Sequence, residues 1–515
     1  MSAQWPDKSD GAAEDAASRR SALALILAFA LARVGLAYSI GFGVDESYTI
    51  AISRRLSLSY FDHPPLHQWL AHFAALALGE GASTRLPFIA LFAGTGWLIF
   101  VLTRDLFGAR AGVWAVFGLN ASVFFFASAG GWVVPDGPLL FAAAAAAIVL
   151  AKLFFGAPAG TAIWRLWLAA GFWLGLAGLS KYSAVFVPFG IAAFLALSPR
   201  QRHWFRHPAP YLAALLCVAM ILPVVVWNAQ NHWISFAFQG GRGAPGGRWR
   251  PLQVGAMILG QIALLTPWIF VPLVGALLAA ARRARADERR LFLLCLSLPP
   301  IVFFTVTPLW GARGLPHWPM PGWFFVYPLL GAWLADGWAR RFNWRAWAIG
   351  SAALLATIAT VLVWQTRTGW IEKLLPLPQG AVDPTRETLT WDRLAASPLL
   401  GAQGGAAPAF VVSTKWSEGG KIALALGPDM PEIVYSEDPR GMAFLDDSAR
   451  FVGKDAVIIV PQSKLPSVAA TFQPFFASLG EPQRMTLGRG GMAEIDLALI
   501  PAHGLTRPFP LPYPR

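Results

Sequence analysis

The chain has 515 residues, of which 56% are hydrophobic and only 13% are charged, and its formal net charge is +13. This composition excludes a string of ordinary soluble domains and indicates a polytopic membrane protein. The positive charge does not point to nucleic acid, because much of it falls in short turns between apolar runs. Cys217 and Cys295 both lie inside apolar runs, so no disulfide framework is expected.

The N-terminal segment 1–20 is polar and predicts a disordered cytoplasmic tail. The apolar run 22–40 is long enough to span a membrane. A cleaved signal peptide is the alternative, but the run is long and many further apolar runs follow it. Arg33 lies inside the run, where we expect it to face protein or water rather than lipid.

The stretch 44–70 combines adjacent acids with a basic pair and the sequence Asp-His-Pro-Pro. Two short interfacial helices are predicted here, over 44–56 and 64–78. Ten further spans follow and bring the predicted total to about eleven transmembrane helices. They cover 86–102, 111–127, 138–155, 164–179, 182–197, 211–227, 252–280, 291–306, 322–334 and 346–363.

The arginines test this layout through the positive-inside rule. With a cytoplasmic N-terminus, the arginine-rich connectors all fall on one side, which is therefore cytoplasmic. They contain Arg104, Arg110, Arg200, Arg202, Arg206, Arg282, Arg283, Arg285, Arg289, Arg290, Arg340, Arg341 and Arg345. The stretch 44–70 and the C-terminal region then lie on the side of the membrane that faces out of the cytoplasm.

The fold class predicted is mainly α, with a transmembrane module over 21–365. From about residue 366 the composition becomes mixed, and 366–515 predicts a small periplasmic α/β domain. Its candidate strands are 409–414, 456–460 and 494–500, the last with clear alternation.

Three acids on the predicted outer side are candidates for chemistry: Asp45, Glu46 and Asp136. A carboxylate at a partly desolvated membrane rim can act as a general base. Helix capping accounts equally well for Asp45 and Glu46, since acids favour a helix N-terminus. A Pro-Asp-Gly turn accounts for Asp136.

Basic and imidazole side chains on the same side suggest an anionic headgroup as ligand. Lys181-Tyr182 ends an apolar run, where the lysine either holds an anion or extends to the interface. His63 and His67 have the spacing of a metal pair on one helical face, although no third ligand is evident. The remaining candidates are Arg313 and His317 in one loop and Arg242, Arg248 and Arg250 in another.

In order, the motifs DE, YFDHPPL, a lone outer Asp, LSKY, WNAQNHWISFAFQ and PHWPMPGW resemble bacterial family-39-type glycosyltransferases. That group belongs to the GT-C superfamily, with the protein O-mannosyltransferases and the lipid A aminoarabinose transferase. The resemblance covers roughly residues 20–370. It implies a GT-C fold, a polyprenyl-phosphate sugar donor, an outer-facing site and inversion at the sugar carbon.

The resemblance also implies roles for individual residues. Asp45 would be the general base that activates an acceptor hydroxyl, with Glu46 in support. Asp136 would orient sugar or acceptor. Positions near the lipid phosphate would be filled by Lys181, Tyr182, Arg313, His317, His63 and Arg242.

The function expected is therefore that of a hexosyl- or pentosyltransferase acting on a lipid, glycan or protein of the cell envelope. A transporter or flippase of a lipid-linked sugar is the alternative, and it would predict broken helices in matching halves. An outer-domain sensor on a membrane anchor accounts for neither the spans nor the outer acids. No cofactor is indicated, and the sequence leaves a divalent metal open.

Overall fold

The computed structural model describes residues 12–244, 246–247, 249–336, 343–375, 383–401 and 407–513. Arg248, Arg340, Arg341 and the first eleven residues of the predicted tail lie outside this part of the chain. Residues 12–20 do not form a disordered tail, because the first helix already begins at Ala12.

Most of the described chain is α-helical, as predicted. Its α-helices are, in chain order, α1 (Ala12–Ser39), α2 (Val44–Ser53), α3 (Leu66–Leu78), α4 (Leu86–Phe107), α5 (Ala109–Ala121), α6 (Val123–Phe126), α7 (Ser128–Gly131), α8 (Asp136–Phe155), α9 (Thr161–Gly178), α10 (Phe186–Leu197), α11 (Ala209–Gln230), α12 (Ile234–Gly243), α13 (Pro251–Leu265), α14 (Pro267–Arg283), α15 (Glu288–Val306), α16 (Met320–Phe324), α17 (Tyr327–Ala335), α18 (Trp344–Thr368), α19 (Trp370–Leu374), α20 (Trp416–Leu426) and α21 (Leu465–Phe472).

Six helical segments of the described chain are long and apolar enough to cross a membrane, or up to eight if each of two bent pairs forms one span. Each predicted span coincides with one of the helices or with a consecutive pair. The polytopic helical fold is therefore confirmed, whereas the predicted count of eleven spans is not.

The predicted span 252–280 is not one continuous helix, because α13 and α14 meet at an angle of 108°. Thr266 sits between them with a φ of 68°, and Pro267 follows without an N–H to continue the helix. A second break of 87° separates α5 from the short helices α6 and α7, at the extended residue Ser122.

Arg33 lies in α1, is only 2% exposed and stabilises the break between α5 and α6. Its guanidinium donates to the carbonyl oxygens of Phe126 at 2.9 Å and Phe125 at 3.2 Å, and to Asn120 Oδ1 at 2.7 Å. The arginine thus connects both sides of the break, through the Asn120 side chain of α5 and two carbonyls of α6, and its charge is satisfied by polar groups of the protein. The expectation that Arg33 faces protein is confirmed.

The chain divides into two compact units. The first contains the described residues of Met1–Gly35, His63–His67 and Leu86–Thr357, and the second those of Leu36–Asp62, Gln68–Arg85 and Ile358–Arg515. The predicted boundary at 365/366 divides the chain at a single point, whereas the second unit also includes most of the first loop.

Arginine-rich connectors meet at one end of the first unit. Ser198 Oγ donates to Glu288 Oε1 at 2.5 Å, and Arg289 Nη1 donates to the Leu106 carbonyl at 2.9 Å. Gln201 Nε2 reaches the Phe154 carbonyl, at the last turn of α8. The 20 residues of α8 place Asp136 about 30 Å from that end, which is the thickness of a bilayer core.

The second unit contains a mixed six-stranded sheet. Its strands are β1 (Phe410–Ser413), β2 (Glu432–Val434), β3 (Ala456–Pro461), β4 (Phe476–Leu479), β5 (Gln483–Arg489) and β6 (Met492–Leu505). The order is β2-β1-β3-β6-β4, β5 pairs with β6, and only the pairs of β1 with β2 and β3 are parallel. The three predicted strands correspond to β1, β3 and β6.

Candidate active site

A buried ion pair joins the start of α8 to the segment that follows α9. Lys181 Nζ lies 2.9 Å from both carboxylate oxygens of Asp136, and both side chains are largely buried. Asp136 is the first residue of α8 rather than the centre of a turn. Lys181 has extended backbone, which directs the chain from α9 into a short 3-10 helix. The structure therefore brings together two residues that the sequence predicted separately.

His67 lies beside this pair on the first turn of α3. Burial, and then the charge of Lys181, lower the pKa of His67 to about 3. The Leu66 amide donates to the Leu179 carbonyl at 2.9 Å, which fixes this turn against the residues just before Lys181. The ring of His63 meets that of His67 edge to face at 5.6 Å.

His317 also experiences the charges of the pair. The pKa of His317 is lowered to about 4, mainly by burial and also by the charges of Lys181 and Arg242, while Asp136 opposes the shift. The imidazole stacks on Phe124, with ring centroids 6.4 Å apart. The site therefore contains imidazoles that are neutral at physiological pH.

Arg242 is held by aromatic rings of its own unit. Its guanidinium lies 4.9 Å from the centroid of Trp318 and 5.4 Å from that of Phe238. The Arg313 amide donates to the Arg242 carbonyl at 3.1 Å, while the Arg313 side chain is exposed. The hydroxyl of Tyr182 bonds Ser235 Oγ at 2.6 Å.

The two acids of α2 have different environments, although they are adjacent. Glu46 is 1% exposed and accepts from Arg85 Nε at 2.7 Å and Nη2 at 2.6 Å. Its Oε2 also accepts from the Gly43 amide at 2.9 Å, so the capping interpretation holds for Glu46. Asp45 is exposed. Because Glu46 is engaged in the fold, it fits a structural role better than a catalytic one.

Asp62 is buried in the same unit as Asp45. It accepts from the hydroxyl of Tyr48 at 2.5 Å and lies 3.4 Å from Arg440 Nη1. Burial raises the pKa of Asp62, Arg440 and Tyr48 oppose this, and the charge of Asp45 adds to the rise. Arg440 in turn lies 3.9 Å over the ring of Trp416.

No group of three or more His, Cys, Asp or Glu side chains that could hold a metal ion occurs in the described parts of the chain. The spacing of His63 and His67 therefore brings two imidazoles together without a further ligand of that kind.

Comparison with known proteins gives one consistent result. Residues 62–227 match the model of the dolichyl-phosphate-mannose-protein mannosyltransferase family. The lipid A galacturonosyltransferase RgtD of Rhizobium johnstonii is 24% identical over 483 residues, which cover 89% of this chain and 95% of that protein. ArnT from Cupriavidus metallidurans superimposes with a TM-score of 0.63 in the apo state, at 14% identity, and the match covers 93% of this chain and 97% of ArnT. The chain therefore has the fold of ArnT, the GT-C fold, and its sequence is similar to these glycosyltransferases.

A further relative is the undecaprenyl phosphate-alpha-4-amino-4-deoxy-L-arabinose arabinosyl transferase 2 of Proteus mirabilis. It is 26% identical over 337 residues, which cover 61% of this chain and 58% of that enzyme. The structure of ArnT bound to undecaprenyl phosphate matches with a TM-score of 0.61 at 17% identity, over 93% of this chain and 97% of that one.

The predicted site residues are distributed over both compact units. Asp45 and Glu46 belong to the second, and the other predicted site residues belong to the first. Sequence reasoning considered His67 only as a metal partner of His63 and missed its burial beside Lys181. It also missed Arg85, whose role depends on a partner 39 positions away.

Proposed function

We propose that the protein transfers a sugar from a polyprenyl-phosphate donor to a glycolipid acceptor on the periplasmic side of the bacterial inner membrane. The observation that carries the proposal is the Lys181–Asp136 pair, with neutral imidazoles beside it at the end of α8 remote from the arginine-rich turns. A lipid-linked phosphate needs a cation next to an apolar helical bundle, and this end of the first unit supplies one.

The reaction proposed is an inverting displacement at the anomeric carbon. The acceptor hydroxyl attacks that carbon, its proton passes to the Asp45 carboxylate, and the bond between the sugar and the phosphate oxygen breaks. Negative charge then develops on the departing polyprenyl phosphate. Lys181, Arg242 and Arg313 would offset it, and Asp136 would hold Lys181 in position.

Lipid A is the acceptor that the relatives favour, because RgtD is a lipid A galacturonosyltransferase and aligns over 95% of its length. A uronic acid is accordingly the first donor sugar to test. Lys181 and Asp136 neutralise each other, so the charge left for the sugar comes from Arg242 and Arg313. A carboxylate fits these arginines, whereas the cationic aminoarabinose named for the Proteus relative would need a further acid.

The test uses the purified protein in lipid nanodiscs with undecaprenyl phosphate carrying either galacturonic acid or aminoarabinose, and lipid A as acceptor. We expect mass spectrometry to detect lipid A that is heavier by one sugar, together with free undecaprenyl phosphate. Absence of product with every lipid-linked sugar and every envelope acceptor would contradict the proposal.

The flippase hypothesis retains one supporting observation, the two sharply bent helix pairs at α5–α7 and α13–α14. Broken helices are typical of secondary transporters. Proteoliposomes that contain a labelled lipid-linked sugar separate the hypotheses. A transporter moves the intact lipid between leaflets without acceptor, whereas the transferase consumes it only when acceptor is present.

A further inference from the structure

The hydroxyl of Tyr48 connects three segments of the second unit. Tyr48 lies in α2 and is buried. Its hydroxyl donates to Asp62 Oδ1 at 2.5 Å and accepts from the Gly441 amide at 2.8 Å. Asp62 follows α2 in the first loop, and Gly441 lies between β2 and β3 of the sheet domain. One buried hydroxyl therefore joins α2, the Asp-His-Pro-Pro motif and the sheet domain within a single compact unit.

The sheet domain also packs directly against α2 at this tyrosine. A methyl group on Gly420 of α20 would lie 2.7 Å from the Tyr48 amide nitrogen, and one on Gly441 would lie 2.6 Å from the Tyr48 hydroxyl oxygen. Both distances are shorter than a van der Waals contact, so each approach requires a residue without a Cβ. The rings of Tyr48 and Trp416 meet edge to face, with centroids 5.1 Å apart. A rotation of α2 against the sheet domain would break all of these contacts.

Arg440, the residue before Gly441, has a left-handed backbone with a φ of 49°. This conformation costs a residue other than glycine roughly 1–3 kcal/mol and persists only where the surroundings fix it. The Arg440 amide donates to the Tyr513 hydroxyl at 2.9 Å, and the guanidinium lies 3.9 Å from the ring centroid of Trp416. The strained residue is thus held by its backbone and by its side chain. It is followed directly by the amide that donates to Tyr48.

Asp45 precedes Tyr48 by three positions in α2, so the two side chains are neighbours on the helix surface, about one turn apart. The contacts that fix Tyr48 therefore also fix the direction in which the Asp45 carboxylate points. We propose that Tyr48 is a positioning residue for Asp45, through which the sheet domain holds the base towards the acceptor hydroxyl. This inference rests on the proposed function and gives the sheet domain a part in the transfer step.

The experiment measures kcat per folded protein, and KM for sugar-loaded undecaprenyl phosphate, in nanodiscs with saturating lipid A. We expect Tyr48→Phe to lower kcat roughly tenfold, because a displacement of about 1 Å at a reacting group can cost 10²-fold, and to change KM less than about twofold. In the Asp45→Asn background, Tyr48→Phe should lower kcat by less than about a further twofold, since no base is left to position. Tyr60→Phe is the matched control, because this buried tyrosine of the same unit donates to the Arg55 carbonyl at 3.0 Å. It should keep the wild-type kcat.

Three results would overturn the positioning role: a wild-type kcat in Tyr48→Phe, an equal loss of kcat in Tyr60→Phe, or an undiminished loss in the Asp45→Asn background. The last would mean that Tyr48 acts independently of Asp45. If Tyr48→Phe does not fold, Gly441→Ala takes the same test, because its methyl group would displace the hydroxyl. A wild type that transfers no lipid-linked sugar would contradict the proposed function and the positioning role together. Any of the three results against an active wild type contradicts the positioning role alone.

Discussion

Asp45 and Glu46 are neighbours with opposite environments, and this contrast separates a catalytic role from a structural one. Asp45→Asn removes the proposed base while leaving an exposed position, so we expect transfer to fall by roughly 10²–10⁴-fold without a change in melting temperature. The measurement is kcat in nanodiscs beside thermal unfolding followed by tryptophan fluorescence.

Glu46→Gln is the matched control, because it leaves Arg85 as a buried charge without its carboxylate. We expect it to lower stability by about 3–5 kcal/mol, and to reduce activity in proportion to the folded fraction. If Asp45→Asn transfers sugar at the wild-type rate, Asp45 is not the base. If Glu46→Gln melts like wild type, the buried pair does not stabilise the unit.

Lys421 provides a second prediction for a single residue, which concerns how the stability of the folded protein depends on pH. Burial lowers its pKa from 10.5 to about 8, although Glu46 opposes the effect, and its ammonium donates to the carbonyls of Phe42 and Leu389. Between pH 8 and 10.5 the unfolded chain binds the proton that the folded chain has lost, so stability rises with pH there.

We expect that rise to be roughly 3 kcal/mol and to disappear in Lys421→Met. Thermal unfolding of the two proteins below pH 8 and near pH 10.5 measures it, with the exposed Lys415→Met as control. A rise of equal size in Lys421→Met would assign the pH dependence to other groups.

At the scale of the element, glycines permit close helix packing in the first unit. A methyl group on Gly331 of α17 would overlap the carbonyl oxygen of Ala111 in α5, and one on Gly171 of α9 would overlap that of Ala213 in α11. Small residues at such crossings let two backbones approach, which is how helices associate in membranes.

Gly331→Ala and Gly350→Ala form a pair that differs only in surroundings. The first must displace α5 and is expected to cost about 1–3 kcal/mol. The second lies in α18 with open space around its Cα, so it should gain up to about 1 kcal/mol in helix propensity. Melting temperatures in the same detergent check both, and a shift of the same sign in the two variants would contradict the packing argument.

The elements also show what the sequence could predict. Long apolar runs determine helices by burial of the chain in lipid, so every predicted span coincides with a helix or a helix pair. Hydropathy does not report a bend, and Thr266 therefore passed unnoticed between two apolar segments. Among the strands, β2 was missed because it has three residues and begins with the buried acid Glu432.

For the candidate site, the type and order of the residues predicted which side chains are candidates, whereas the partner of each charged side chain could not be predicted. Acids and bases on the outer side could be recognised because charge is costly near lipid. The partners of Glu46 and Asp136 are 39 and 45 positions away, so only the fold reveals that Arg85 and Lys181 neutralise them. Burial of His67 is likewise a tertiary property that no local pattern reports.

At the scale of the whole molecule, the arginines predict how the protein sits in the membrane. In the first unit, Arg200 lies 3.9 Å from Glu288, Arg289 contacts the end of α4, and Arg290 lies 2.8 Å from Asp336. Positively charged turns gathered at one end are retained in the cytoplasm, because translocation across the membrane is unfavourable for them. We therefore expect the arginine-rich end to be cytoplasmic and the sheet domain to be periplasmic.

Cysteine labelling checks this orientation in a background where Cys217 and Cys295 are replaced by alanine. Ser463→Cys, in the sheet domain, should react with a membrane-impermeant maleimide in cells whose outer membrane is permeabilised, since Ser463 is exposed. Arg200→Cys, also at an exposed position, should react only after lysis. Labelling of the Arg200 variant in unlysed cells would show that the orientation is the opposite of the one predicted. The Lys181–Asp136 end would then lie on the cytoplasmic side, where a periplasmic acceptor cannot reach it.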